Sequence, residues 1–361
     1  MTAPLDLLAG RVLLHAGDCL DVMARLPANS IDACVTDGPY FLPEMEKRFG
    51  SANSARASGD RFFAEGAMSK FHGKAAIVGD ICNRVETWAA VERVLKPGGY
   101  LLAFNAVVPF AHMQIAAEKA GFETRNVLQW LYGTGFPRGK PLGKFIDRQV
   151  FGDGLDDDEI ERGPVSHSAA FYDEQDIALK PAAEFILMAR KPLDGTIGEN
   201  LIKWGVGALN VNACRIEHAT GSSYPANVLH DGSAEVMAAF PADAGGKSVA
   251  RFFWHPKADA RDRAGSDHPT VKPIALMQWL VRLVTSPGQT VLDPFAGSGS
   301  TGEAAWREGR NAVLIEIDAQ FQADIAQRMA LCLAGPEERQ RKIIKAKAAE
   351  PFAAGSLFAG L

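Results

Sequence analysis

Short apolar runs alternate along this chain with helical patterns, and that alternation marks an open, mostly parallel α/β sheet. Seven runs read as strands: residues 12–14, 33–35, 100–104, 127–131, 184–189, 290–292 and 312–317. Apolar positions at helical spacing predict helices over 84–95, 111–119, 273–284, 301–307 and 319–333. Pro97-Gly98-Gly99 supplies a stop between the first helix and the strand that follows it. Between 193 and 263 the pattern weakens among Gly, Ala and Asn, which predicts an inserted module. The expected division is a sheet domain in two parts, 1–192 and 264–334, the insert 193–263, and a terminal helix and loose tail, 335–361.

Composition sharpens this picture only a little. A chain of 361 residues with 47% apolar side chains can bury a sizeable core. The formal net charge of −5 gives no hint of a polyanionic partner. Five cysteines, Cys19, Cys34, Cys82, Cys214 and Cys332, are widely spaced and lack zinc-ligand spacing. No metal and a reducing, cytoplasmic setting are therefore expected. No apolar run approaches membrane-spanning length, and the first residues lack the features of a secretion signal.

The candidate chemistry begins with TVLDPFAGSGST at 290–301: a strand, an acidic residue, then small residues leading into a helix. Such glycines let backbone N–H groups approach a ligand at a helix N-terminus. Gly297 to Gly302 also matches G-x-G-x-x-G, and Glu316 ends the next strand at the spacing of a ribose-binding acid. A nicotinamide-dependent dehydrogenase is thus an open alternative. A second feature is IDACVTDGPY at 31–40, which sets Asp37-Gly38-Pro39-Tyr40 directly after a strand. Alone, that tetrapeptide is an ordinary turn sequence. Here His15-Ala-Gly-Asp18-Cys19 closes another strand upstream, and His268-Pro-Thr270-Val-Lys272-Pro precedes a helix downstream. Open α/β sheets bind ligands beyond the carboxyl ends of their strands, so Asp18, Asp37 and Asp293 can face one crevice.

With these segments in this order, the chain resembles the beta group of amino-methyltransferases that modify DNA. The resemblance covers about residues 11–135 and 179–330, and its marks are VLLHAGDCLDVMARLP, TDGPY, VLKPGGYLLAF, LKPAAEFILMARKP, HPTVKP and DPFAGSGSTGEAAWREGRNAVLIEID. It implies a seven-stranded, doubly wound sheet, circularly permuted so that the break falls between the strand ending near Glu316 and the one ending at Asp18. The insert would be the target-recognition segment. It further implies S-adenosylmethionine as methyl donor. Asp293, Phe295, Ala296, Gly297, Ser298, Gly299 and Ser300 would wrap its methionine part, and His268, Thr270 and Lys272 would lie near its carboxylate. Glu316, with Asp318 beside it, would accept from the ribose hydroxyls, while Asp18 and Cys19 would line the adenine.

An exocyclic amino lone pair is delocalised into its ring and is a poor nucleophile. Acceptors on both amino hydrogens localise it for in-line attack. The resemblance assigns these acceptors to Asp37 and the Gly38 carbonyl, with Pro39 and Tyr40 holding a base turned out of the duplex. The family has proline where this chain has Gly38. Glycine keeps the carbonyl but loses the fixed φ, so a slow enzyme or a non-catalytic DNA-binding relative is a further alternative. No cysteine follows a proline, which argues against methylation at cytosine C5. Asp at the head of the tetrapeptide favours adenine N6 over cytosine N4.

Double-stranded DNA is the implied partner, and a homodimer is admitted by the resemblance. The insert, with 7 Lys plus Arg against 8 Asp plus Glu, is not a basic patch. Arg138, Lys140, Lys144 and Arg148, opposed only by Asp147, are the better phosphate contacts, with a basic loop at 47–74 as a second candidate.

Overall fold

Parallel strands covered on both faces need apolar residues pointing both ways, and the central strands here supply them. The computed structural model describes residues 3–39, 81–133, 142–152, 162–176, 179–218, 221–240, 253–254, 258–268, 270–335 and 339. The chain begins with β1 (Leu5–Leu7), β2 (Val12–Ala16), α1 (Cys19–Met23) and β3 (Ile31–Thr36), and resumes with α2 (Val85–Val94), β4 (Leu95–Asn105), α3 (Val107–Lys119) and β5 (Glu123–Leu131). Next come α4 (Leu142–Phe151), α5 (His167–Tyr172), β6 (Ala183–Arg190), α6 (Ile197–Trp204), β7 (Ile216–His218), β8 (Gly221–Ser223), β9 (Val228–His230) and α7 (Ala234–Ala239). The last part holds β10 (Phe253–Trp254), α8 (Ala260–Arg263), α9 (Ile274–Val284), β11 (Thr290–Asp293), α10 (Ser300–Arg307), β12 (Asn311–Glu316) and α11 (Ala319–Cys332).

One sheet of ten strands runs in the order β1-β2-β12-β11-β3-β4-β6-β5-β9-β10. Strands β2, β12, β11, β3 and β4 are mutually parallel, and β6 lies antiparallel between β4 and β5. The seven expected strands form the centre of this sheet. Three short ones extend it: β1 pairs antiparallel at one edge, while β9 and β10 add in parallel beyond β5. Strands of three or two residues in a Gly- and Asn-rich interval carry too little alternation to be seen in the sequence. The permutation is visible as a pairing of the chain's two ends: β2 lies beside β12, with Val12 opposite Ala312 and Ala16 opposite Glu316. Pro97-Gly98-Gly99 is not the expected stop, because β4 starts at Leu95 and runs through it, with a register irregularity opposite β3.

Alternation along the central strands divides the core. Ala33, Val35, Tyr100, Leu102 and Phe104 pack on one face with Leu276, Leu280 and Val284 of α9. Cys34, Leu101 and Ala103 pack on the other with Trp88 and Val91 of α2 and Met113 of α3. Among the described residues no helix is long and apolar enough to cross a membrane. With both faces covered, the ends of the strands are what the sheet offers to a ligand.

Candidate active site

Four acids stand at the carboxyl ends of four adjacent parallel strands, in the order Asp18 (after β2), Glu316 (β12), Asp293 (β11) and Asp37 (after β3). Parallel strands lie about 4.8 Å apart, so this row spreads over roughly 14 Å. Side chains and backbone tie its members together. Gly17 N–H donates to the Glu316 carbonyl at 3.0 Å, and Thr36 Oγ1 donates to Asp293 Oδ1 at 2.6 Å. Asp18 caps α1, its Oδ1 accepting from Leu20 N–H at 2.8 Å, and Cys19 follows it as a buried first residue of that helix. Burial, with Asp18 close by, pushes the Cys19 thiol up to about 12.

The glycine loop connects β11 to α10. Gly297 and Gly299 take φ of +51° and +81°, a region in which a side chain is strained. Gly297 N–H donates to Glu316 Oε2 and Asp318 N–H to Glu316 Oε1, both at 2.8 Å. Burial is the largest influence on Glu316 and raises its pKa to about 7, with Asp318 and Asp293 adding to it against the two N–H donors. Asp293 is raised to about 6 by burial, opposed by hydroxyl donors from Thr301 and Thr36. Ala296 N–H is fixed on the Ile315 carbonyl at 2.9 Å, and Ser298 and Ser300 are buried. The His268 ring closes over the loop: a Cβ on Gly297 would lie 2.9 Å from its Nε2, and Phe321 packs edge-on at 4.6 Å. His268 Nδ1 accepts from Thr270 N–H at 3.3 Å, and burial with Lys272, Arg263 and Arg328 nearby lowers its pKa to about 4. His268 is therefore neutral at physiological pH, while Thr270 itself is exposed.

Behind the loop sits a buried arginine that the sequence reading had not singled out. Arg328 of α11 donates from Nε to the Ser298 carbonyl at 2.6 Å and from Nη1 to Glu303 Oε2 at 2.8 Å. Glu303 also pairs with Arg307 and Arg339, so this network holds the loop from below.

At the other end of the row, Lys272 Nζ lies 2.5 Å from Asp37 Oδ2, 3.3 Å from Glu184 Oε2 and 5.0 Å from the Phe104 ring centre. Burial opposes the charge on Lys272, but the Asp37 and Glu184 carboxylates outweigh it and raise the pKa. The structure thus places Lys272 on Asp37. Glu184 is the residue missed, although its segment was noticed. It reaches the site because β6 runs antiparallel, which brings the start of that strand to the edge where its neighbours end. Gly38 follows Asp37 against the Phe295 ring, and Pro39 is half-buried beyond it; Tyr40 lies outside the described residues.

Of the basic residues expected on the DNA side, Lys144 and Arg148 are exposed on α4, four residues apart and so on one face. Asp147 points the other way: it is buried and accepts N–H bonds from Val165 and Ser166 at 2.7 and 2.8 Å. Arg138, Lys140 and the loop at 47–74 lie outside the described residues.

Comparison with known proteins agrees with this geometry. Residues 31–328 match the N6/N4 methyltransferase family model, described as DNA methylase. The chain is 26% identical over 318 residues to the type II methyltransferase M.HindIII of Haemophilus influenzae, covering 83% of this chain and 89% of that one. A shorter match, 46% identical over 55 residues, covers 15% of this chain and 19% of the Escherichia coli DNA adenine methyltransferase YhdJ. The solved structure of the cytosine-N4-specific PvuII DNA methyltransferase shares the fold, with a TM-score of 0.51 at 15% identity over 94% of each chain. An antiparallel strand set into a parallel sheet, an acid at the end of each of four adjacent strands and a family match over residues 31–328 lead to one assignment: the chain belongs to the N6/N4 DNA methylases, S-adenosylmethionine-dependent enzymes acting on amino groups of DNA bases.

Proposed function

We propose that this protein methylates adenine N6 at a specific sequence in double-stranded DNA, as the modifying partner in a restriction–modification pair. The observation that carries the reading is the meeting of Asp37, held by Lys272, with the glycine loop across the adjacent strands β3 and β11. The donor set suits S-adenosylmethionine: Gly297 and Gly299 give the loop its left-handed bends beside His268, Glu316 offers a carboxylate to the ribose hydroxyls, and Asp18 offers one to the adenine amino group. When bound, that cofactor supplies a methyl group on a sulfonium.

The chain's own residues make the target nitrogen reactive. Asp37 and the Gly38 carbonyl accept the two amino hydrogens, so the nitrogen turns tetrahedral and its lone pair points at the methyl. Lys272 holds Asp37 in place through their ion pair, and Glu184 balances the lysine. No dedicated base is needed, since the methylated nitrogen is strongly acidic until it sheds its proton. Pro39 and Tyr40 hold the base outside the stack, where its edge can be reached.

The Asp that heads the tetrapeptide and the match to a DNA adenine methyltransferase support adenine over cytosine. The test is transfer of tritiated methyl to duplex DNA from a strain lacking methyltransferases, followed by nucleoside chromatography and modified-base sequencing. N6-methyladenine at one sequence, lost in Asp37→Ala with cofactor binding intact, is the expected result. N4-methylcytosine would overturn the base assignment, and full activity of the variant would overturn the role of Asp37.

A further inference from the structure

Gly38 is where this chain departs from the proline-bearing tetrapeptide, and its surroundings give that departure a partner. Its φ lies outside the left-handed region, so the backbone angle does not demand glycine. Space does. A Cβ at position 38 would overlap Cys82 Sγ and sit 3.1 and 3.3 Å from Cδ2 and Cε2 of Phe295. Cys82 is 3% exposed and comes from the turn Ile81–Asn83. Two side chains of α2 pin that turn: Trp88 Nε1 donates to the Cys82 carbonyl at 2.8 Å, and Thr87 Oγ1 donates to the Ile81 carbonyl at 2.7 Å. The thiol, packed in one cluster with Cys19, Cys34 and Ile81, therefore fills from an anchored backbone the volume that a pyrrolidine ring at position 38 would take.

We propose that Cys82 is a positioning residue for methyl transfer: its thiol, packed on Gly38 together with the Phe295 ring, steadies the Asp37-Gly38-Pro39 backbone in place of a proline ring and so keeps the Gly38 carbonyl directed at the target amino group. This rests on the acceptor role assigned above to that carbonyl. Gly38 and Cys82 then form a matched pair, and Gly38→Pro by itself introduces a clash instead of restoring a better enzyme. Because Phe295 belongs to the glycine loop, the same contact links the base side of the site to the cofactor side.

The experiment is a double-mutant cycle on the full chain: Cys82→Ala, Gly38→Ala, Gly38→Pro, and each Gly38 variant combined with Cys82→Ala. Tritiated methyl transfer to unmethylated duplex DNA gives kcat and KM, calorimetry gives the S-adenosylmethionine Kd, and denaturation reports folding. Misplacement by a fraction of an ångström at a reacting centre costs about 10-fold or more in rate. Cys82→Ala is expected to lower kcat roughly 5-fold with the cofactor Kd within about 2-fold, whereas each Gly38 single variant loses more than about 10-fold and regains most of it when Sγ is also removed. Additive losses in the cycle, an unchanged kcat in Cys82→Ala, or a Gly38→Pro variant faster than the parent would each overturn the inference. Those outcomes leave the proposed function standing if Asp37→Ala is inactive. A parent protein that transfers no methyl to DNA would overturn both.

Discussion

Glu316 gives the sharpest quantitative handle on cofactor binding. Burial moves its pKa from an ordinary 4.5 to about 7, and the residue is 8% exposed. At 1.36 kcal/mol per unit, ionising it in the ligand-free protein costs roughly 3 kcal/mol. The direction follows from which form each state prefers. Between pH 4.5 and about 7 the folded chain holds a proton that the unfolded chain has released, so this group's contribution to stability falls as pH rises through that window. In the role proposed for Glu316, ribose hydroxyls donating to the carboxylate favour its ionised form, so binding must expel the proton wherever the free protein retains it. The apparent Kd for S-adenosylmethionine should therefore rise about 10-fold from pH 8 to pH 6. Calorimetry in buffers of differing ionisation enthalpy should count close to one proton released at pH 6 and close to none at pH 8. Glu316→Gln removes that linkage and weakens binding at pH 8, because an amide turns only one oxygen toward the two N–H groups of Gly297 and Asp318. A Kd flat across this range, or a glutamine variant that binds as tightly as the parent at pH 8, would refute the reasoning. Asp293, at about 6, is kept apart by measuring the slope above pH 6.5, where Glu316 dominates.

The other predictions concern the groups that hold the row in place. Lys272→Met removes the cation that pairs with both Asp37 and Glu184, so Asp37 loses the contact that holds it and kcat should drop at least about 10-fold in the tritiated methyl assay. An unchanged kcat would argue against the pairing. Arg328→Met strips a charge-assisted donor from the Ser298 carbonyl and one of three arginine partners from buried Glu303; because Arg307 and Arg339 remain, the loss should fall below the roughly 3 to 5 kcal/mol of a fully broken buried pair, read by urea denaturation, with weaker cofactor binding in the protein that remains folded. Thr301→Val removes a hydroxyl donor from Asp293 Oδ2 and should raise that carboxyl's pKa further, seen as a shift of its NMR titration to higher pH.

Much of the site was legible because the residues that make it follow strands directly. A strand that ends in Asp or Glu delivers that side chain to the carboxyl edge of the sheet whatever the order of the chain, and this is how Asp18, Asp37, Asp293 and Glu316 come to stand in one row. Glu184, Cys82 and Arg328 were not legible as site residues for three different reasons. Glu184 begins a strand, and it reaches the same edge only because that strand runs backwards. Cys82 belongs to no sequence motif, and its proposed role comes from an atom missing at Gly38. Arg328 lies on a helix among ordinary core positions, and only the loop packed beneath it reveals what its guanidinium binds.

Periodicity and punctuation in the sequence determined the seven central strands, the mostly parallel character of their sheet and the glycine loop, since these depend on local preference and on burial that both neighbours demand alike. Side-chain partnership was decided by tertiary structure alone. That Lys272 rests on Asp37, across 235 positions of chain, or that a thiol fills the place of a missing ring, depends on distances no local pattern encodes. The short strands β9 and β10 belong to the same class, because β9 adds to the open edge of β5 and β10 to that of β9, pairings that two or three residues cannot announce in a sequence.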